Sequence, residues 1–519
     1  MARDIFHAQN TDVEAELKRR FIYGAVLFAT VLQLNAIAAT PCESLAGMTL
    51  AKAKVTSASV VAAGAFVPPA GGGRGGGGNF ASLPEFCRVA ATLSPSPDSD
   101  IKVELWLPQS GWNGKFEAVG NGGWAGTIPY AAIAAAMRNG YAAAGTDTGH
   151  TGGNADFAFG HPEKVTDFAY RSIHEMAVQS KAILKEHYGS PAKFSYFNGC
   201  SQGGRQGLSE AQRYPSDFDG IIAGASAIDQ MQMHGARTAL NLLVNQSPDA
   251  VIPPAKYPMI HQAVLNACDA LDGVKDEVLE DPMKCKFDYA TLLCKAGDSP
   301  DCLTKGQVES AKYMTSPLKD PKNGKTLFDR YLAMGSELGW ATLGGPQPLG
   351  LSVSGLRNIV FGDRSWDYKT MELTADIQRA AASDKVMATN NPDILRFLDR
   401  GGKLLMYHGW SDPQVTPLNS VSYYKNVLKT VGNGAAGEAI ALFMVPGMNH
   451  CSGGPGTDNF DKMKVMEDWV EKKIEPKKIM ASHLTNGVVD RTRPLCPYPK
   501  VAKYNGSGDM NDAANFQCK

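Results

Sequence analysis

Gly199-Cys200-Ser201-Gln202-Gly203 is a Gly-x-Ser-x-Gly pentapeptide set between two segments of opposite character. Lys193 to Phe197 alternates and is rich in aromatics, as a strand would be, whereas Gly204 to Tyr214 carries helix formers until Pro215 stops them. A serine on such a turn is a candidate nucleophile: glycine on either side permits the tight backbone and holds the hydroxyl clear of the sheet, where a base can reach it. By itself the pentapeptide is equally a glycine-rich turn with a solvated serine. Nucleophilic catalysis needs two partners, which in this arrangement follow in the order Ser, acid, His, each just after a strand. Gly402 to Gly409 reads as a buried strand delivering Ser411-Asp412-Pro413 into a loop, so Asp412 is the acid candidate. Ala439 to Val445 is an uninterrupted apolar run followed by Pro446-Gly447-Met448-Asn449-His450-Cys451, so His450 is the base candidate. Other histidines fit less well: His408 falls within a strand-like run, His174 lies in a long helix-like stretch, and His150 and His161 precede the serine, although His150 remains available to line the cleft.

The elements that must position these residues alternate in two blocks. In the first, strands are predicted over Ile101 to Leu107, Lys115 to Val119 and Tyr141 to Gly145, with a helix over Ala131 to Arg138 and a long one over Pro162 to His187 leading to the serine. Ile221 to Gly224 adds another strand. The second block, from about Gly401, supplies the Asp412 and His450 strands and a helix over Asp461 to Lys473. Residues 226–399 differ in texture, with many Pro, Gly and Met residues and short cysteine spacings, and are expected to form a lid domain over the strand ends. The chain therefore divides into 40–225 and 400–519 as two parts of an α/β catalytic domain, with the insertion between them.

Cysteine placement adds an independent argument. Cys200 directly precedes the candidate nucleophile and Cys451 directly follows the candidate base, so if serine and histidine meet, their neighbours are close enough to bridge. The alternative is two buried free thiols. Lys18-Arg19-Arg20 precedes the apolar run Phe21 to Leu34, and Ala36-Ile37-Ala38-Ala39 offers small residues for cleavage, so residues 1–39 read as a signal peptide. A membrane anchor is the competing reading, but the run is short for a span and interrupted by Gln33. Ten cysteines, an even number, then suit a secreted or periplasmic chain. The formal net charge of −1 among 519 residues gives no electrostatic case for binding nucleic acid or an anionic membrane. Gly71 to Gly78 reads as a mobile hairpin loop, since no helix follows to make it a phosphate cradle. Nothing in the sequence specifies an oligomeric state.

Cys200-Ser201, Asp412, His450-Cys451, the Gly120-Asn121-Gly122-Gly123 loop after a strand, the insertion and the remaining cysteine spacings together resemble the tannase and feruloyl esterase family of α/β-hydrolases, over essentially the whole mature chain. That resemblance implies an α/β-hydrolase fold with a large inserted lid, a Cys200–Cys451 disulfide, and further pairs Cys42–Cys87, Cys268–Cys285, Cys294–Cys302 and Cys496–Cys518. It also implies a structural calcium ion, since Cys268 to Val278 matches the family's calcium loop: the carboxylates of Asp269, Asp272 and Asp276 and the carbonyls of Val274 and Val278 would be ligands. The same acidic residues, with Glu280, also fall at spacings that would make one acidic helix face, against which Gly273 and Pro282 argue.

The chemistry expected of the set is ester hydrolysis through an acyl-enzyme, with the oxyanion met by the backbone N–H groups of Gln202 and Gly123. Family members take aromatic acyl esters such as gallates and hydroxycinnamates, and a planar acid wants apolar walls. Trp124, Trp340 and Trp410 are candidates for such walls or are core residues. The family's mono(2-hydroxyethyl) terephthalate hydrolases carry an aromatic residue three positions after the catalytic Asp, where this chain has Val415. A catalytically silent, calcium-stabilised binding protein on the same scaffold is the rival from another functional class.

Overall fold

The computed structural model describes residues 40–69 and 79–519. The leader expected over 1–39 and the glycine run Gly71 to Gly78 lie outside the described residues. Eight strands precede the insertion: β1 (Thr49–Leu50), β2 (Ala53–Val61), β3 (Phe86–Leu93), β4 (Ile101–Pro108), β5 (Lys115–Val119), β6 (Ala142–Thr146), β7 (Phe194–Cys200) and β8 (Gly220–Gly224). The insertion holds β9 (Leu318–Lys319) and β10 (Thr326–Phe328), β11 (Lys403–Gly409) and β12 (Ile440–Val445) follow it, and β13 (Ile479–Thr485), β14 (Val488–Leu495), β15 (Ala502–Tyr504) and β16 (Phe516–Cys518) end the chain.

One ten-stranded sheet runs in the order β1-β2-β3-β4-β6-β5-β7-β8-β11-β12. Its first four strands and the β4–β6 pair are antiparallel, and from β6 to β12 every pair is parallel. Parallel strands here carry helices on both faces, which is why β6, β8 and β12 are buried at every residue and read as unbroken apolar or small-residue runs. Alternate side chains serve opposite cores: Phe197, Ile221, Leu404 and Leu442 face one layer, and Tyr196, Ile222, Leu405 and Phe443 the other. Strand β5 has β6 on one side and β7 on the other, so the connections from β5 to β6 and from β6 to β7 run in opposite directions, the arrangement in which a crevice opens at the strand ends. The segments leaving β5 and β7 there are the glycine loop and Ser201.

Between Gly224 and Lys403 no strand joins the large sheet, and Leu240, Ile260, Tyr289, Val308 and Trp340 build a separate core within this insertion. The segment after the Lys462–Lys472 helix adds no named strand to the large sheet, but Pro497 forms an isolated bridge to Phe443 of β12, and Ile479, Ala481 and Leu495 join the core on one sheet face. It forms two antiparallel pairs, β13–β14 and β15–β16, and the second packs with Val274 of the insertion. All five expected disulfides are formed: Cys42–Cys87, Cys200–Cys451, Cys268–Cys285, Cys294–Cys302 and Cys496–Cys518. Among the described residues no helix is long and apolar enough to cross a membrane.

Candidate active site

Ser201 stands between the last residue of β7 and the helix Gln202–Arg213 with φ 63° and ψ −118°, a conformation that costs a non-glycine residue about 1–3 kcal/mol. Close backbone packing imposes it. A Cβ on Gly199 would lie 2.5 Å from the carbonyl carbon of Gly203, one on Gly204 would lie 2.1 Å from the Gly224 oxygen, and one on Gly120 would lie 2.6 Å from the Gly203 Cα. The glycines of the pentapeptide and of the loop after β5 thus let strand, helix and loop touch main chain to main chain. Ser201 N–H donates to the Gly224 carbonyl at 2.9 Å, fastening the turn to β8.

The other two candidates arrive from the neighbouring strand ends. Gly409 closes β11 against the loop after β12, where a Cβ would lie 2.1 Å from the Met448 oxygen, and Ser411 N–H donates to that same oxygen at 3.0 Å. Asp412 is fully buried, and its Oδ2 pairs with His450 Nδ1 at 2.6 Å while Oδ1 accepts the N–H groups of Gln414 (2.8 Å) and Val415 (2.9 Å). Burial works to raise its pKa, but His450 and His408 outweigh it and hold the carboxylate well below its usual range. His408, set aside in the sequence as a strand residue, is thus part of the site. Its Nε2 lies 2.9 Å from the Val415 carbonyl and 3.2 Å from Asp412 Oδ2, and its Nδ1 lies 2.8 Å from Ser420 Oγ. A carbonyl only accepts, so Nε2 carries the hydrogen, and His408 donates into the cradle that fixes Asp412. Arg237, fully buried and lowered to about 10 by burial, donates to the Gln414 carbonyl of the same turn.

The Cys200–Cys451 bridge, with Cα atoms 6.0 Å apart, ties the residue before Ser201 to the residue after His450. Cys451 is itself held at φ 67°. His450 keeps 16 % of its side chain accessible, so its free ring edge is open to the crevice. Ser201 Oγ makes no hydrogen bond among the described residues; such contacts are commonly loose without substrate and tighten around it.

The glycine loop is locked to the helix behind Ser201. Asn121 N–H donates to Gln206 Oε1 at 3.0 Å, Gln206 Nε2 returns a bond to Asn121 Oδ1 at 3.2 Å, and Asn121 Nδ2 reaches the Thr146 carbonyl at 2.8 Å. Gly123 takes φ +54°, and neither its N–H nor that of Gln202 meets an acceptor among the described residues. Beneath Gln202 lies a residue that the sequence left unnoticed, Arg205, fully buried and bonded to no carboxylate among the described residues. It donates to Gln202 Oε1 (3.0 Å) and to the carbonyls of Met387 (2.8 Å), Phe168 (3.3 Å) and Ala169 (2.7 Å), and burial lowers its pKa to about 9. His150 is buried, and its Nε2 lies 2.9 Å from the Trp124 carbonyl, so it braces the glycine loop and does not line the cleft. Burial pushes its pKa down to about 4.

The tryptophans are core residues, which settles that alternative for them. Trp340 packs edge-on against Tyr257 and Tyr289 inside the insertion, Trp410 sits in a sheet core, and Trp124 is 1 % exposed with its Nε1 donating to the Leu351 carbonyl at 2.9 Å. Trp124 instead joins the glycine loop to the insertion, and a Cβ on Gly123 would lie 3.5 Å from the Leu351 side chain. Val415 is 3 % exposed and packs with Met233 and Ala236.

In the insertion, Asp269–Asp272 is one short helical turn ended by Gly273 at φ +101°, so the unbroken acidic helix does not form. Asp269 accepts the Glu277 N–H at 3.1 Å, Asp272 accepts the Val274 N–H at 3.0 Å, and Asp276 binds Arg493 from the C-terminal segment. The other oxygen of Asp276 is buried with no partner among the described residues, and burial followed by the charges of Asp276 and Asp269 pushes Asp272 up to about 6. Hard carboxylate oxygens, one of them orphaned, around a glycine turn fit a calcium ion, although the three carboxylates are not drawn into one tight shell.

A family model described as tannase and feruloyl esterase matches residues 87–519. An uncharacterised esterase of Xanthomonas campestris pv. campestris is 35 % identical over 95 % of this chain and 94 % of its own. The crystal structure of feruloyl esterase B from Aspergillus oryzae superposes with a TM-score of 0.85 at 31 % identity, covering 92 % of this chain and 99 % of that one. Tannin acyl hydrolase from Aspergillus niger shares the fold, with a TM-score of 0.75 at 24 % identity over 93 % of each chain. With this fold and these relatives, the chain belongs to the tannase and feruloyl esterase family of α/β-hydrolases and is a carboxylic ester hydrolase.

Proposed function

We propose that the protein is a secreted serine esterase acting on esters of aromatic acids of the feruloyl or galloyl type. Ser201 is its nucleophile, His450 its general base, and Asp412 the group that orients the imidazole. The observation that carries this reading is the Asp412–His450 pair at 2.6 Å, bridged through Cys451 and Cys200 to a serine held at positive φ. With Nδ1–H donated to Asp412, His450 Nε2 has a free lone pair. It takes the Ser201 hydroxyl proton as Oγ bonds to the ester carbonyl carbon. The carbonyl oxygen becomes an oxyanion and accepts the unengaged N–H groups of Gln202 and Gly123; losing one such donor typically costs about 10²–10³ in rate. Collapse breaks the ester C–O bond, and the alcohol leaves with the proton from His450. Water, deprotonated by the same imidazole, then attacks the acyl-serine and releases the acid.

The insertion serves as a lid over this crevice, and Leu351 against the glycine loop supports that role. Asp269, Asp272 and Asp276, with the carbonyls of Val274 and Val278, would hold a structural calcium ion, whose charge offsets the crowded carboxylates. Five disulfides and the apolar leader support secretion. The test is a hydrolysis panel of methyl ferulate, methyl gallate, mono(2-hydroxyethyl) terephthalate and p-nitrophenyl acetate, run with the parent and Ser201→Ala. Turnover of the ferulate or gallate by the parent, and only the residue due to binding and the oxyanion donors in a folded Ser201→Ala, is expected. Near-normal hydrolysis by Ser201→Ala refutes the assignment of the nucleophile. Preference for the terephthalate ester moves the substrate class, and a parent inert on all four refutes the feruloyl or galloyl substrate class.

A further inference from the structure

On the helix that begins at Gln202, Glu210 is 0 % exposed, and neither of its carboxyl oxygens has a hydrogen-bond partner among the described residues. A buried carboxyl without a partner is costly to keep in the interior, the more so when charged. Two side chains from other elements converge on it. His174 comes from the helix Ser172–Tyr188 and Asp217 from the turn leading into β8, and one ligand atom from each of the three residues lies within 4.8 Å of the others. Among the described residues this is the one set of histidine, cysteine or acidic side chains gathered so tightly.

The set has the form of a ligand cage. His174 Nδ1 lies 2.6 Å from Asp217 Oδ2, and the ring is stacked on Tyr214 at 3.7 Å and 7°, which fixes the direction of its nitrogens. Lys181, the nearby cation, donates to the backbone carbonyl of Asp217. The side chain of His174 is 27 % exposed, giving an entry path from solvent. Glu210 also sits in the last turn of its helix, where the carbonyl ends favour positive charge. One imidazole nitrogen and two carboxylates make a borderline-hard donor set, suited to Zn²⁺ or Mn²⁺ and distinct from the all-oxygen loop of the insertion.

We propose that His174, Glu210 and Asp217 bind one first-row divalent cation of the Zn²⁺ or Mn²⁺ kind. The ion clamps the helix before β7 to the helix after it. Glu210 lies nine residues beyond Ser201, about 13 Å along the helix axis, so the ion acts on stability and on the seating of that helix and not on the ester.

The test uses untagged full-length protein, stripped with chelator and returned to excess Ca²⁺ so that the loop of the insertion is in the same state in every arm. Zn²⁺ and Mn²⁺ are then titrated by calorimetry, and bound metal is counted by elemental analysis after gel filtration. One equivalent of Zn²⁺ or Mn²⁺ per chain is expected in the parent, with a raised Tm. Both Glu210→Gln and His174→Ala should weaken it at least about tenfold and abolish the Tm shift. Because His174 is partly exposed, its variant keeps the test alive if Glu210→Gln does not fold. A parent that takes up no stoichiometric Zn²⁺ or Mn²⁺, or one equivalent that His174→Ala retains with unchanged affinity, overturns the proposal.

Discussion

Replacing both Cys200 and Cys451 with alanine asks whether their bridge aligns the reacting groups or only staples the chain. The half-cystines are 251 residues apart, and the chain-entropy treatment puts closure of such a loop at about 5.5 kcal/mol, less any native strain. That loss should appear as a lower Tm. The rate has a separate origin. Ser201 at φ 63° and Cys451 at φ 67° each occupy backbone regions that cost about 1–3 kcal/mol and persist only where the surroundings impose them. Without the bridge the residue at 451 is free to relax to negative φ, and His450 is its chain neighbour. A displacement on the order of 1 Å between base and nucleophile costs about a hundredfold. We therefore expect kcat on methyl ferulate, measured well below the melting range of the variant, to fall at least tenfold, while circular dichroism reports a folded chain. A double variant that melts earlier but turns over at the parent rate would show that the bridge contributes stability alone, and the argument from backbone strain would be wrong.

Chelation should lower Tm and added Ca²⁺ restore it, since a ligand at a hundred times its Kd stabilises the folded state by about 2.7 kcal/mol. An unchanged melting curve after verified removal of metal refutes the calcium loop. Arg205→Met leaves four acceptors in the interior without their donor, at roughly 3 kcal/mol or more, and frees the Gln202 side chain. Lower Tm together with lower kcat at little-changed KM is expected, with partial rescue by Arg205→Lys, and a loss of Tm alone would limit Arg205 to packing. The folded-state pKa of Asp412 is depressed below its unfolded value near 4, so the stability it contributes is fully present above that pH and is lost as pH falls through the folded value. The Tm gap between parent and Asp412→Asn should thus be widest at neutral pH and narrow on acidification. A gap that widens in acid contradicts the pairing with His450.

Strand and helix identities around the site were legible because local chemistry dictates them. Lys115–Val119 is a strand as expected, and the buried strand expected before Asp412 and the unbroken apolar run before His450 became β11 and β12. The helix expected over Pro162 to His187 forms as one helical course, with a π-turn at Asp167–Arg171 that no periodicity announced. The C-terminal segment was harder to place, because what holds it is Arg493 on Asp276 and the Ala502 N–H on Glu280 at 2.7 Å, contacts that span more than two hundred residues. The pair β15–β16 therefore packs beside the loop expected to bind calcium, while Ile479, Ala481 and Leu495 of β13 and β14 pack into a core of the large sheet.

By itself the sequence determined that each candidate residue follows a strand, because glycine spacing, apolar runs and cysteine adjacency are written into neighbouring positions. Only the tertiary structure decided that His408 cradles Asp412, that Arg205 underlies Gln202, and that His174, Glu210 and Asp217 meet. A strand that alternates its side chains between two layers says nothing of which strand lies beside it. It is the order β5-β7-β8-β11-β12 that brings the glycine loop, Ser201, Asp412 and His450 to neighbouring strand ends.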